Sequence, residues 1–277
     1  MVTTEVHITG ALHVVGIQEE VGHSLLRDAD PSTAEAWVAQ AGIGLRAVWR
    51  IEMCGRFTIT RRNGNSLAAE LGVPTESFVD YKPRYNVAPL QMHFVVRVEF
   101  ENRQLIPARW GLVNRWAKDA SMASKCINAR SETVETRPAF RDAFKKRRCV
   151  VPVDGFFEWT GAKTARRPIW FHREGGQLLL FAGLYEAWQK KPGEWETTFT
   201  ILTTAANALM APYHDRMPVI LADRDADDWI DPRAPDAVAL KRLLVPAPED
   251  LLITTPVSPK LNSVKNDSAE LLESAEA

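Results

Sequence analysis

The sequence predicts an α+β fold: a single domain with a barrel-like, mainly antiparallel sheet and peripheral helices. Three observations lead there. Short runs of β-branched and aromatic residues recur between turns rich in Gly, Asn and charged residues. The helical stretches are few and short. No repeated period and no strand–helix alternation of the parallel α/β kind runs through the chain. With 277 residues, 45% apolar and 25% charged, the composition is that of an ordinary globular protein able to bury a core.

Taken in order, Ala34–Ala41 reads as a short helix after Pro31-Ser32-Thr33, with Asp30 as its N-cap. Leu67–Leu71 is a second short helix, stopped by Gly72 and Pro74. Met92–Phe100 and Gln104–Ala108 form a hairpin through Glu101-Asn102-Arg103. Arg148–Val153 is β-branched and apolar, hence a buried strand. Ile169–His172 and Leu178–Leu184 flank Glu174-Gly175-Gly176 as a second hairpin. Thr197–Thr204 alternates like a strand and runs into a helix-like Ala205–Ala211. Asp225–Ile230 and Ala237–Leu244 read as surface helices. The acidic stretch 268–277 is expected to fray.

Charge divides the chain. Residues 1–52 carry three Arg and no Lys against seven acids, while the remainder is mildly basic. A basic body is compatible with a polyanion partner. Cys54, Cys126 and Cys149 make no CxxC and no even-numbered framework, which argues against a disulfide scaffold and suits a reducing compartment. The six histidines show no HExxH or similar spacing, so no metal and no other cofactor is expected. No apolar run reaches the roughly 18 residues of a membrane span. The first residues lack the pattern of a signal peptide.

The chemistry begins at Met53-Cys54-Gly55-Arg56-Phe57. If Cys54 were the first residue, it would carry a free α-amine beside its thiol. That pair condenses with an aldehyde to a Schiff base, which the thiol closes to a thiazolidine. An α-amine titrates near 7.7–8 in model compounds, so part of it is neutral at physiological pH. An internal cysteine has only an amide nitrogen, and its plain reading is a small buried hydrophobe. Residues 1–52 are therefore central. They are either a small appended element or upstream sequence read into an over-long reading frame.

Four further residues carry alternatives. Glu158 lies among Phe156, Phe157 and Trp159. In an extended segment it shares a face with Phe156, while Phe157 and Trp159 share the other. A carboxyl beside aromatics serves as a general acid or base, or pairs with an arginine as a strand-end Glu. His214, in the turn-like Pro212–Arg216, is a proton shuttle or a turn histidine; Asp215 is set aside as its orienting partner because it is a sequence neighbour. Asn128 orients an amine or a sugar hydroxyl, or simply makes a turn. Arg130 binds a phosphate in bidentate fashion or forms a surface ion pair. The bases of Arg137–Arg148 read as a mostly solvated helix face. Trp110 and Trp159 flank these residues and are candidates to stack on bases.

These residues fall in islands: Arg84–Pro89, Arg109–Leu112, Ile127–Glu132, Asp154–Trp159, Phe181–Glu186, His214–Pro218 and Val257–Asp267. With Cys54–Phe57 they run in the order found in the SRAP family, the SOS-response-associated peptidase or abasic-site processing proteins. The chain resembles that family over nearly all of 53–267 and in none of 1–52. The resemblance implies an SRAP-like domain over 53–267. It implies Cys54 as nucleophile, with Asn128, Glu158 and His214 in the active site. It implies Arg56, Arg130, Trp110, Trp159 and Arg216 as DNA contacts. Its implied partner is single-stranded DNA with abasic sites, bound by a monomer in the cytoplasm and associated with the nucleoid when on DNA. The implied activity is a covalent cross-link through Cys54 with an associated autopeptidase activity. Two other functions stay open. One is non-covalent single-stranded DNA binding with residues 1–52 retained. The other is a Cys-His peptidase, using Cys54 and His214, that acts on other proteins.

Overall fold

A ring of five strands closes on itself. The computed structural model describes residues 55–74, 81–162, 165–234 and 238–275. In chain order the ring strands are β3 (Met92–Glu99), β4 (Asn102–Trp110), β6 (Arg148–Val153), β9 (Leu179–Lys191) and β10 (Glu194–Ala205). β4 pairs β3, β3 pairs β6, β6 pairs β9 and β9 pairs β10, all antiparallel. The ring shuts where β10 meets β4 in parallel, at Thr198↔Arg109 and Phe199↔Trp110. Closure leaves these strands without unpaired edges over their joined length. Short strands β5 (Asn128–Arg130), β11 (Arg216–Pro218) and β12 (Ile220–Leu221) attach to β10 and β9.

A second, antiparallel sheet has the order β13-β8-β7-β1-β2. Its strands are β1 (Phe57–Ile59), β2 (Arg84–Val87), β7 (Gly155–Thr160), β8 (Arg167–His172) and β13 (Ile253–Pro256). The period-two pattern of the ring strands decides what lies on each side of them. Val95, Cys149, Val151, Phe181, Phe199 and Ile201 pack with Phe57, Phe156 and Phe171 of the second sheet. Their alternates Val96, Leu105, Val150, Ala182 and Leu202 pack with the helices α1 (Gly64–Leu71), α2 (Arg141–Lys146) and α3 (Asp223–Ile230). Within the second sheet β7 and β8 pack closely at Gly155, where any Cβ would collide with the Trp170 indole.

The α+β barrel-like class holds, and so do several elements. The 92–108 hairpin and the 148–153 strand form as expected. α1 ends on Gly72, whose φ of 60° gives the left-handed cap. Five expectations need correction. Ile169–His172 and Leu178–Leu184 do not form a hairpin: β8 pairs β7 and β13, whereas β9 belongs to the ring, so the Gly pair carries the chain between sheets. Ala205–Ala211 is no helix: Ala205 ends β10 and 206–211 runs in turns, the Asn207 side chain accepting from Met210 N and donating to the Ala247 carbonyl. The stretch after Asp267 is fastened as far as Ala275, because Leu271 is buried and Ser274 bridges Val257. Arg148 is not a solvated base: its guanidinium is buried and donates to the carbonyls of Phe144, Lys145, Trp229 and Asp231. The 237–244 helix is a 3-10 turn over Ala239–Leu243. The 34–41 helix, its Asp30 cap and the whole of residues 1–52 lie outside the described residues.

Candidate active site

β7 supplies the first group. Phe156 faces the ring core, stacked on Phe171 at 5.2 Å, while Phe157 and Trp159 pack on the other face with Val257, Leu261 and Leu271. The alternation therefore puts Glu158 on the Phe156 side, and its side chain is buried there, 7% exposed. β1 runs antiparallel beside it, with Phe57↔Phe156 and Thr58↔Gly155. Carried back two residues, that register sets Gly55 against Glu158. Cys54 itself lies outside the described residues.

β10 supplies the second group. Its Ile201–Thr203 pairs with Asn128–Arg130 in parallel, and its Thr203–Ala205 pairs with Arg216–Pro218. One strand thus gathers Asn128, Arg130 and the 214–216 turn. His214 is pinned by its own backbone N–H to Met210 O, 3.0 Å. Its Nδ1 lies 3.1 Å from the Arg216 N–H and 2.8 Å from Asp215 Oδ1. These are alternatives at one atom: a lone pair takes the amide, and a proton takes the carboxylate. Nδ1 is committed to the turn, so any proton shuttling falls to Nε2. Asp215, set aside on sequence grounds, is in contact after all, because the turn folds its carboxylate back onto the ring. An aromatic chain joins the two groups. Tyr213, next to His214, packs edge-on against Phe171 at 5.1 Å, and Phe171 stacks on Phe156.

The expected DNA contacts divide. Arg130 is exposed. Trp159 is half-buried, with the Arg56 guanidinium 5.8 Å from its ring centre and its Nε1 donating to Asn262 Oδ1 at 2.7 Å. Arg56 is itself held: Nη1 donates to Asn86 Oδ1 at 2.8 Å and to Leu261 O at 2.9 Å, and burial lowers its pKa. Arg216 spends its fork on Glu132, at 3.0 and 2.9 Å, and on the Thr203 carbonyl at 2.6 Å. It ties 132 to β10 and has little left for a phosphate. Trp110 contradicts its expected role outright. It is fully buried, stacked on Phe199 and tilted against Phe57, with Nε1 donating to Ile127 O at 2.9 Å. It cannot reach a base; it supports the residue before Asn128 and the strand after Cys54.

Sequence reasoning missed the residues that hold the site in place. Asn86 is fully buried and donates Nδ2 to Leu261, Ser263 and Asn266 carbonyls. Asp267 accepts from the backbone N–H of Tyr85 and Asn86 and pairs with Arg84. Asp154 accepts from Thr58 Oγ1, Thr60 N and Thr60 Oγ1, bracing β1 from β7's start. Asn86, Asp154 and Asp267 all sit inside the motif islands, but only the fold shows that their work is bracing.

The ring strand β10 thus gathers an amide and an imidazole, and β7 of the second sheet holds a buried carboxyl. The sequence profile described as SOS response associated peptidase (SRAP) matches residues 53–264, and the chain belongs to that family. It is 39% identical over 226 residues to "Abasic site processing protein YoqW" of Bacillus subtilis, covering 80% of this chain and all of that one. It is 30% identical over 229 residues to "Abasic site processing protein YedK" of Escherichia coli, covering 80% and 99%. A crystal structure of a protein from Bacteroides thetaiotaomicron superposes with a TM-score of 0.71 at 23% identity, covering 80% of this chain and 100% of that chain, which bears on the fold alone.

Proposed function

We propose that this chain processes abasic sites in single-stranded DNA, forming a covalent thiazolidine with the lesion through Cys54 after the residues before it are removed. The relation to proteins named for abasic-site processing, over 80% of the chain, carries the substrate class. The chemistry balances without a cofactor. The closed sugar opens to its aldehyde, the Cys54 amine adds to the carbonyl, and water leaves as the imine forms. The thiol then adds across C=N, making the C–S bond and returning one hydrogen to nitrogen. Glu158 protonates the ring oxygen as the sugar opens. His214, through Nε2, moves the next proton, and Asn128 orients the amine. Arg130 and Arg56 bind flanking phosphates, with Trp159 as a stacking face. Release of the Cys54 amine by hydrolysis of the 53–54 peptide bond is the peptidase part of the activity.

The test compares three proteins on a single-stranded oligonucleotide with one abasic site: the full chain, a form beginning at Cys54, and that form with Cys54→Ala. A denaturation-resistant adduct is expected from the Cys54 form, and from the full chain only as intact mass shows the leading residues lost. An adduct of equal stability from Cys54→Ala, or from chains that keep residues 1–52, overturns the thiazolidine reading.

A further inference from the structure

We infer that Arg166, Arg167, Lys260 and Lys265 form a second wall that grips the sugar–phosphate backbone of single-stranded DNA beside Trp159. This rests on the DNA reading of the site above and extends it to residues outside the reactive groups.

The first observation is charge without counter-charge. Several cations elsewhere in this fold are neutralised by nearby carboxylates, while others, such as Arg62, Lys125 and Arg137, stand singly without one among the described residues. Arg61 has Glu70, Arg84 has Asp267, Arg109 has Glu196, Arg147 has Glu186 and Lys241 has Glu135. Among the described residues, none of the four named here has a carboxylate within 4.0 Å. Three of them are exposed, and Arg166 is half-buried. Like charges left together repel one another, so the cluster suits a polyanion that would neutralise it.

The second observation is placement. Lys260 and Lys265 ride on the segment 258–267, and that segment is fastened directly to the site. Arg56 donates to Leu261 O, Trp159 Nε1 donates to Asn262 Oδ1, and Asn262 Nδ2 donates to Arg166 O at 3.2 Å. Arg167 opens β8 directly across the sheet from Thr160, which alternation places on the Glu158 face. The segment that carries the two lysines is thus tied to Trp159 and to Arg166, and Arg167 stands on the face of Glu158.

The third observation is rigidity. Asn86 holds three carbonyls of the segment, Asp267 is tied to β2, and Asn266 Nδ2 donates to Lys260 O at 2.7 Å. The backbone beneath the lysines is set before any ligand arrives, which lowers the ordering cost of binding. A cationic track along a fixed aromatic face is how single strands are held without regard to sequence. It lies on the β7–β8 side, whereas Arg130 lies on the β10 side.

The experiment is a salt titration of binding to an undamaged fluorescent single-stranded oligonucleotide. Each lost phosphate contact lowers the slope of log affinity against log salt by about 0.7 for single strands. Lys260→Gln/Lys265→Gln is expected to lower it by about 1.4, and Arg166→Gln/Arg167→Gln by a similar amount. Lys260→Arg/Lys265→Arg should restore the wild-type slope, and melting curves confirm that every variant is folded. If wild type binds steeply, Arg130→Gln lowers the slope and neither pair does, the wall is refuted while the site reading stands. If wild type shows no salt-dependent binding, both fall.

Discussion

Replacing Asn86 with alanine tests whether the clasp between β2 and the 258–267 segment holds the site together. The side chain is fully buried, and every polar atom on it is used. Its Oδ1 accepts from the Arg56 guanidinium, and its Nδ2 points at three carbonyls, so the orientation of the amide is dictated by its neighbours. Removal has unequal consequences. Leu261 O keeps its donor in Arg56, and Ser263 O keeps the Asn266 N–H. Arg56 loses an acceptor while half-buried, a charged hydrogen bond of about 2 kcal/mol. Asn266 O is left to find water, at about 1 kcal/mol, and the two weakened carbonyls add about 1 more. The total is near 4 kcal/mol, or roughly 10 °C in melting midpoint for a domain of this size. Thermal and urea unfolding measure the loss. Hydrogen exchange should show 259–267 opening before the ring strands. Asn86→Asp keeps the acceptor for Arg56 but turns an oxygen toward three carbonyls, so it should lose at least as much. A loss under about 1 kcal/mol with unchanged exchange in 259–267 would refute the clasp.

Four more expectations follow from particular residues. Burial depresses the His93 imidazole from 6.5 to about 4, where its Nε2 donates to Pro152 O. The unfolded chain takes up this proton near 6.5 and the folded chain only near 4, so stability should fall by about 3 kcal/mol between those pH values and level off below. His93→Gln, which keeps a donor without titrating, should flatten that limb in urea midpoints against pH. Trp110→Ala should cost about 4 kcal/mol as a core truncation. A variant that stays fully stable and only loses DNA affinity would show the surface reading of Trp110 to be right after all. Glu158→Gln should slow cross-linking about 10²-fold and remove a carboxyl limb from its pH profile. His214→Ala should slow it too, with a less than additive double variant in single-turnover assays. Unchanged rates in folded single variants would return both residues to structural roles.

The class of fold, the 92–108 hairpin, the 148–153 strand and the two faces of 156–159 were legible in the linear chain. Each is a local pattern: alternation, β-branching, or a glycine at a helix end. The family, too, was legible, because ordered islands of residues survive reading along the chain. Partnership across distance was not. Whether 169–184 is a hairpin depends on which sheet each strand joins, and β8 finds β7 and β13 instead of the strand that follows it. Trp110 and Trp159 look alike in sequence, each beside a motif residue. One stands on a ring strand facing the core and the other on the outer face of β7, and only the fold shows that the first is fully buried and the second half-buried. Likewise Arg130 and Arg216 are both motif arginines, and only the tertiary contact with Glu132 neutralises one of them. Spacing along a chain encodes how a side chain points relative to its neighbours. What it meets there is set by segments tens to hundreds of residues away, as Arg56 is by a carbonyl at Leu261.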